Sequence, residues 1–286
     1  MPTSRHLPVI LASLIFPLAA SAGPIAYYSF ESPDVSGDGI ATDNSGNALD
    51  GTFQVIDAGA FAYVADAPGA VAGTQSLSLT ETSANTSGNY NAAKLNRTFT
   101  SLQLDVNGSW SITGWFKRSG STNDDDFIFH LGNGDGFGGG HELYLYGNGP
   151  SNLTLHNYEA GFQTANLVNA GATRDTWHHF AVVHNNPTDT LTLFLNGGLV
   201  GTDPDAGISS LNQSAPIVFG GHTNNGFQTG RYFDGNLDDL AVYSGLLNQD
   251  QITFLAAGGS PLAVPEPTTI GLLGLGLLGL LRRKLG

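Results

Sequence analysis

Short runs of alternating or wholly apolar residues follow one another along the chain, and clusters of Gly, Asn, Asp and Ser separate them. Period-two alternation bounded by turn residues is typical of β-strands and not of helices. The predicted strands are residues 25–30, 75–79, 98–104, 109–117, 127–131, 142–146, 153–158, 177–184, 190–195, 216–219 and 235–243. Residues 248–257 indicate a short helix, and the Ala- and Gly-rich residues 57–73 predict a long loop.

The clearest alternation lies in the predicted strand 109–117. One face carries Trp110, Ile112 and Phe116, and the other carries Ser111, Thr113 and Lys117. This pattern predicts a strand with one buried face. So many antiparallel strands in one chain predict an all-β fold of two packed sheets, a jelly-roll sandwich. Since no repeat and no internal linker interrupts the pattern, we expect one domain over residues 23–262.

Both ends of the chain carry export signals. Residues 1–22 combine Arg5, an apolar stretch and the A-x-A sequence of a signal-peptidase site, so we expect cleavage between Ala22 and Gly23. A buried first strand is the alternative, and two prolines in this segment oppose it. Near the other end, an apolar segment of roughly 21 Å as a helix is shorter than a membrane core. The basic cluster after it would hold the terminus in the cytoplasm.

The residues of this tail resemble a known signal. Pro265, Glu266 and Pro267, followed by a Leu/Gly helix and by Arg282 and Arg283, are similar to the PEP-CTERM sorting tail of Gram-negative bacteria. The resemblance implies that residues 263–286 are a sorting signal processed by an exosortase, a membrane peptidase. The protein would then pass through an inner-membrane intermediate to the cell surface or the extracellular space. A plain single-pass anchor is the alternative.

The amino-acid composition restricts the classes of partner that the protein can bind. The net charge is −14 and the chain contains no cysteine. An acidic surface repels nucleic acid and anionic lipid. Without disulfides, stability must come from a packed core, with a metal ion as a further contribution.

Three local patterns together resemble the laminin-G-like, concanavalin A-like domains of bacterial surface proteins. They are Tyr28-Ser-Phe30 with the turn 43–51; Trp110 to Lys117 with residues 177–182 and 193–197; and Phe219-Gly-Gly with residues 233–243 and 247–252. The resemblance implies a concanavalin A-like sandwich, in which the first and last strands lie close together.

Two adjacent acids in the last predicted strand suggest a calcium site. Neighbouring strand residues face opposite ways, so one of Asp238 and Asp239 points inward and needs a partner. The resemblance brings this pair near the turn at Asp43, Asn47 and Asp50, and such oxygen donors suit Ca²⁺. We therefore expect some of these five residues to hold a structural calcium. The alternative is that Asp43 and Asn47 form Asx turns and Asp238 caps backbone amides.

Other polar segments give weaker signals. The glycine-rich residues 132–140 lead into a strand and not a helix, which argues against a phosphate-binding loop. With Asn133, Asp135, Phe137 and His141 this segment could form a sugar-binding rim; otherwise it is a flexible loop. We interpret Asp124 to Asp126 as a solvated loop; a second, surface cation site is the alternative. The seven histidines after the predicted leader lack zinc-site spacing, and we interpret them as structural.

Catalytic motifs are missing from the sequence. Glycoside hydrolysis needs two facing carboxylates, yet no Glu-x-Asp-x-x-Glu run occurs, and neither does a G-x-S-x-G elbow or a cysteine nucleophile. We therefore expect a non-catalytic exported protein that binds carbohydrate or another surface partner. The alternatives are a polysaccharide-active hydrolase or lyase built on aspartates, and a passive matrix protein.

Overall fold

The structure is a computed structural model that describes residues 23–31, 39–56, 59–81, 92–100, 103–105, 107–119, 125–132, 141–159, 162–169, 171–204, 207–208, 216–222 and 232–265. All of these residues belong to one compact unit, Ala22–Pro265. Within these ranges no helix is long and apolar enough to cross a membrane. The predicted signal peptide, and the sorting tail beyond Pro265, lie outside the described residues.

In the described ranges the chain forms two antiparallel eight-stranded sheets, and this confirms the predicted all-β sandwich. Sheet A has the order β14-β13-β12-β7-β16-β5-β4, and β1 pairs with β16 beside this path. Its strands are β1 (Ala26–Tyr28), β4 (Ala60–Val64), β5 (Ser76–Thr80), β7 (Trp110–Arg118), β12 (His178–Asn185), β13 (Thr190–Leu195), β14 (Gly198–Asp203) and β16 (Gly235–Tyr243).

Sheet B has the order β11-β10-β9-β8-β15-β6-β3-β2. Its strands are β2 (Ile40–Ala41), β3 (Gly51–Ile56), β6 (Ala92–Arg97), β8 (Asp125–Gly132), β9 (His141–Asn148), β10 (Asn152–Glu159), β11 (Phe162–Asn169) and β15 (Ile217–Phe219). The helix α1 (Gln249–Ala256) follows β16, as predicted.

The main hydrophobic core lies between the sheets. Trp110, Ile112 and Phe116 of β7 enter it together, as their alternation predicts. The leucines of β13 enter it from the next strand but one. Burying side chains of this size contributes about 1.5–3 kcal/mol each before the loss of conformational entropy is counted.

Two predictions about irregular segments are wrong. In the predicted strand 98–104, the described residues 98–100 and 103–104 are not in a strand; the strand is β6, which ends at Arg97, and Phe99 and Leu104 reach the core after it. Residues 57–73 are not one long loop, because they contain β4. The ring of Phe61 in β4 stacks on Phe53 with centroids 4.1 Å apart.

The outer face of sheet A is also buried, which corrects the expectation of a single buried face for β7. The helix α1 and the residues flanking it cover this face, and Ile252 and Leu255 belong to an apolar cluster with side chains of the sheet. Ser111 is consequently enclosed; its hydroxyl donates to the carbonyl of Gly245 at 2.8 Å and accepts from the amide of Leu247 at 3.0 Å. Asn248 caps α1 in a reciprocal capping box with Gln251.

A buried ion pair closes one end of the sandwich. The carboxylate of Asp126 lies 2.7 Å from Nε of Arg118 and 3.1 Å from a terminal nitrogen of Arg174. Burial raises the pKa of Asp126 to about 6, although both arginines oppose the shift. The interpretation of this segment as a solvated loop is therefore wrong for Asp126. Asp124 lies outside the described residues.

We expect the buried side chain of His179 to make the stability of the domain depend on pH. Its ring is buried on the outer face of sheet A and meets Trp115 edge-on at 5.3 Å. Burial lowers the pKa of His179 to about 3, whereas in the unfolded chain it is about 6.5. The unfolded state therefore binds more protons below pH 6.5, and stability falls as the pH drops from 6.5 towards 3.

We expect His179→Phe to remove the contribution of His179 to the pH dependence of stability while keeping an aromatic ring at this position. Between pH 7 and pH 4.5 the wild type should lose about 2 kcal/mol more unfolding free energy than the variant. Urea unfolding at several pH values measures the difference. Equal pH slopes in the two proteins would contradict the assignment.

Candidate functional site

The outer face of sheet B carries polar and aromatic side chains, whereas the residues before and after them in sequence point into the core. Leu131, Leu143 and Leu155 point into the sandwich. Because side chains alternate along a strand, the residues next to them in sequence point outward. The outward set includes His130 of β8, Glu142, Tyr144 and Tyr146 of β9, and Thr154 and His156 of β10.

Three of these rings form a row across three strands. Tyr144 lies opposite His130 on one side and opposite His156 on the other. The ring centroids of His130 and Tyr144 are 5.8 Å apart, and those of Tyr144 and His156 are 4.7 Å apart, with nearly parallel planes in both pairs. Tyr146 lies beside the row, 5.5 Å from Tyr144, and is half-buried. We call these four residues the ring row.

A buried polar cluster lies at the end of the ring row that His130 occupies. Nε2 of His130 and Nε2 of His222 each lie 3.8 Å from the same oxygen of Glu142. The two imidazole centroids are 4.1 Å apart, and all three residues are at most 3% exposed. We call His130, Glu142 and His222 the His–Glu cluster; its candidate ligand atoms lie within 4.8 Å of one another.

Burial sets the charges in this cluster. It lowers the pKa of His130 to about 4, although Glu142 opposes the shift, so the imidazole is neutral at pH 7. Lys94 of β6 is also fully buried, and its ammonium donates to the backbone carbonyl of His222. Burial lowers the pKa of Lys94 to about 8. The site thus combines the neutral imidazole of His130 with the side chains of His222 and Glu142 and the buried amino group of Lys94.

The His–Glu cluster was not foreseen from the sequence. Its members come from β8, from β9 and from the residue after the Gly220–Gly221 turn, and sheet pairing alone brings them together. The sequence does indicate that each of these residues faces out of the core, because each is a polar residue that follows or precedes an apolar run. The interpretation of each histidine as an isolated structural residue misses this convergence.

The predicted sugar-binding rim falls largely outside the described residues. Asn133, Asp135 and Phe137 are not among them, and His141 is described only as the first residue of β9. The rim stays a prediction.

The first group of predicted calcium ligands forms a hydrogen-bonded turn. The carboxylate of Asp43 accepts from the amides of Tyr27, Ser45 and Leu49, each at 2.9 Å. Burial raises the pKa of Asp43, but these bonds outweigh it and the net shift is downward. Asp50 accepts from the amide of Asp43 at 2.8 Å, and the amide group of Asn47 donates to the carbonyl of Ile25 at 3.0 Å.

The second group lies at a bulge in β16. Asp239 adopts a left-handed conformation with φ 46°, and the register with β7 shifts between Asp238 and Ala241. Asp238 is 1% exposed and accepts from the amide of Asp239 at 2.9 Å. Burial and then the charge of Asp239 raise the pKa of Asp238 to about 9. The carboxylate of Asp239 accepts from the hydroxyl of Tyr27.

Tyr27 therefore connects the two groups, since its amide contacts Asp43 and its hydroxyl contacts Asp239. The pairing of β1 with β16 confirms that the first and last strands are adjacent. A cavity of about 360 Å³ lies beside Tyr27 and Asp239, and Glu31 and Asn44 also line it. The calcium site stays a prediction.

Family comparison places these features in context. Residues 87–253 match the Laminin_G_3 family model, which describes the concanavalin A-like lectin/glucanases superfamily. The chain belongs to this superfamily. Residues 263–284 match the model of the PEP-CTERM protein-sorting motif. A search of curated proteins found no match.

Solved structures share the fold of this superfamily member. Domain 4 of AbnA, an extracellular GH43 arabinanase from Geobacillus stearothermophilus, in complex with arabinotriose, has a TM-score of 0.57 at 20% identity, covering 82% of this chain and 98% of that one. A structure of botulinum neurotoxin type C, whose cell entry depends on two ganglioside molecules, has a TM-score of 0.57 at 14% identity over 82% and 50%. The binding domain of Paraclostridial Mosquitocidal Protein 1 scores 0.53 at 16% identity over 80% and 52%.

Calcium binding is tested by chelation and add-back. We expect chelator treatment to lower the melting temperature by about 5 °C and calcium, added back without zinc, to restore it. Asp238→Asn should lose the response to calcium, while Asp105→Asn, at an exposed aspartate, should keep it. A midpoint that does not respond to calcium would remove the predicted site.

Proposed function

We propose that this protein is an exported, non-catalytic component of the cell surface or extracellular matrix that binds carbohydrate through the outer face of sheet B. The ring row is the observation that carries the proposal. Its half-buried members, Tyr146 and His156, offer ring surfaces to a ligand. An aromatic ring with a polar group can cover the apolar face of a sugar and hydrogen-bond a hydroxyl at the same time.

The comparisons support a carbohydrate ligand. The superfamily is named for lectins and glucanases, and the AbnA domain was solved with arabinotriose bound. Identity to that domain is 20%, so the likeness concerns the fold, and the choice of sugar would depend on the side chains of this chain.

The acids on this face support a non-catalytic role. Glycoside hydrolysis uses a pair of carboxylates about 5–9.5 Å apart. Among the outward side chains that the structure describes in β8, β9 and β10, Glu142 is the single carboxylate, and it lies against two imidazoles. Asp125 of β8 pairs with Asn148 of β9, roughly 20 Å along the strand from Glu142. The face therefore favours binding over hydrolysis.

The route follows from the two ends of the chain. Signal peptidase would cleave between Ala22 and Gly23, and the C-terminal apolar helix would hold an inner-membrane intermediate. An exosortase of a Gram-negative bacterium would then process the PEP-CTERM segment and release the domain to the surface.

Carbohydrate binding is tested with a panel of polysaccharides that includes the producer's own. We expect the full chain to bind at least one of them, and Tyr146→Ala to weaken that binding about tenfold, since ring contacts of this kind contribute about 1 kcal/mol or more. Leu199→Ala, at a 61% exposed position of β14, is the control and should bind as the wild type does. Binding to none of the panel contradicts the proposal, and release of reducing sugar would make the protein an enzyme.

Sorting is tested by mass spectrometry of the mature C-terminus. We expect the wild type to lose residues beyond the sorting motif, and Glu266→Ala to accumulate uncleaved in the inner membrane. Leu262→Ala, at an exposed position before the motif, should be processed normally. Surface protein that still ends at Gly286 would contradict exosortase processing.

A further inference from the structure

We propose that the His–Glu cluster binds a divalent ion of the zinc class. The proposal concerns His130, Glu142 and His222, and it does not depend on carbohydrate binding. Two imidazoles and one carboxylate are a donor set that zinc and neighbouring transition metals use in proteins. Calcium prefers oxygen ligands alone, so this site is distinct in chemistry from the predicted calcium site.

The distances fit an ion better than direct hydrogen bonds. The two Nε2 atoms lie 3.8 Å from one oxygen of Glu142, which is beyond hydrogen-bond range. Tetrahedral ligands at 2.0–2.1 Å from zinc lie about 3.4 Å apart. Since the candidate ligand atoms lie within 4.8 Å of one another, movement of less than about 1 Å at each side chain would close the cluster around one ion.

His130 has ring nitrogens that an ion would satisfy. Within the part of the chain that the structure describes, neither Nδ1 nor Nε2 of His130 has a hydrogen-bond partner, although the residue is fully buried. A buried polar atom without a partner costs about 1–3 kcal/mol. Coordination of Nε2 would offset part of this cost and give the buried imidazole a function.

The surrounding rings hold the ligands in place. Phe127 packs against both imidazoles, with centroids 6.3 Å from His130 and 5.9 Å from His222. The ring of Tyr144 stacks on His130 with centroids 5.8 Å apart, and it also packs against Phe127 at 4.9 Å. Pairing of Gly132 with Glu142 fixes the register of β8 and β9 at this level. Ligands held by packed neighbours lose little freedom when an ion binds.

The turn before His222 depends on glycine. Gly220 has φ 83°, and a Cβ there would lie 2.1 Å from Cδ1 of Leu79. A Cβ on Gly221 would lie 2.7 Å from the ring of Tyr232. The paired glycines let the chain turn from β15 towards the cluster in a crowded place, which brings the third ligand to the other two.

The ammonium of Lys94 would repel a divalent cation bound at the His–Glu cluster, and this repulsion provides a further test of the proposal. Its ammonium lies at the backbone of His222 and acts on His130 by charge. Removing that charge should strengthen the binding of a divalent cation. Lys94→Met keeps most of the side-chain volume, so it tests the electrostatic effect with little change in packing.

The experiment titrates the full chain, freed of metal, with Zn²⁺ against a chromophoric chelator, and repeats the titration with Co²⁺. We expect one tight zinc site per chain and cobalt d–d absorption. Glu142→Gln and His130→Asn should each weaken zinc binding by at least about 100-fold. Lys94→Met should bind zinc more tightly than the wild type.

His156→Asn is the matched control, because this histidine stacks on Tyr144 in the same face but lies outside the cluster. It should keep zinc affinity within about threefold, as a residue that holds no ion. Absence of a stoichiometric zinc site and of cobalt bands in the wild type overturns the proposal without reference to any variant. Equal loss of affinity in His156→Asn and Glu142→Gln also overturns it. A protein that binds zinc but no polysaccharide would retain this site and lose the proposed function.

Discussion

The closing strand β16 is the element on which the two-sheet arrangement depends. One edge of β16 pairs with β7, and the other edge pairs first with β5 and then with β1. The strand therefore joins the first strand of the domain to its central ones. Since β1 and β5 precede the residues that match the family model, β16 attaches these two strands to the family core in sheet A. In sheet B, the pairing of β3 with β6 makes the corresponding attachment.

The bulge in β16 shows how tightly this junction is packed. Two residues of β16, Asp239 and Leu240, lie opposite Gly114 of β7. A Cβ on Gly114 would lie 2.5 Å from Leu240 and 3.1 Å from Phe180, so a larger residue would separate the strands. The same bulge encloses Asp238, whose ionisation is opposed by burial. Where β16 changes its pairing partner from β5 to β1, close strand packing therefore occurs beside a carboxyl group whose ionisation is unfavourable.

Sequence patterns predicted the elements whose side chains alternate clearly. Strands β7 and β13 and the capped helix α1 are of this kind, because each carries an apolar stripe with the right period. Strand β6 was missed because its outward side chains are as large as its inward ones, with Lys94 beside Leu95. Asp126 looked like part of a solvated loop because its partner Arg118 lies on another sheet, and only the packing of the two sheets brings them together. The His–Glu cluster escaped prediction because its three members come from separate segments, which strand pairing within sheet B brings together.

The end of the domain constrains how its tail can be handled. Val264 is buried in the apolar cluster under α1, and the side chain of Gln251 donates to the carbonyl of Pro265 at 2.9 Å. The described part of the fold thus extends to the first proline of the sorting motif. Detachment of residues 260–265 from the domain would give a peptidase that processes this motif about 20 Å of extended chain. The strength with which α1 holds this last segment would then set how readily residues 260–265 become available to a processing enzyme.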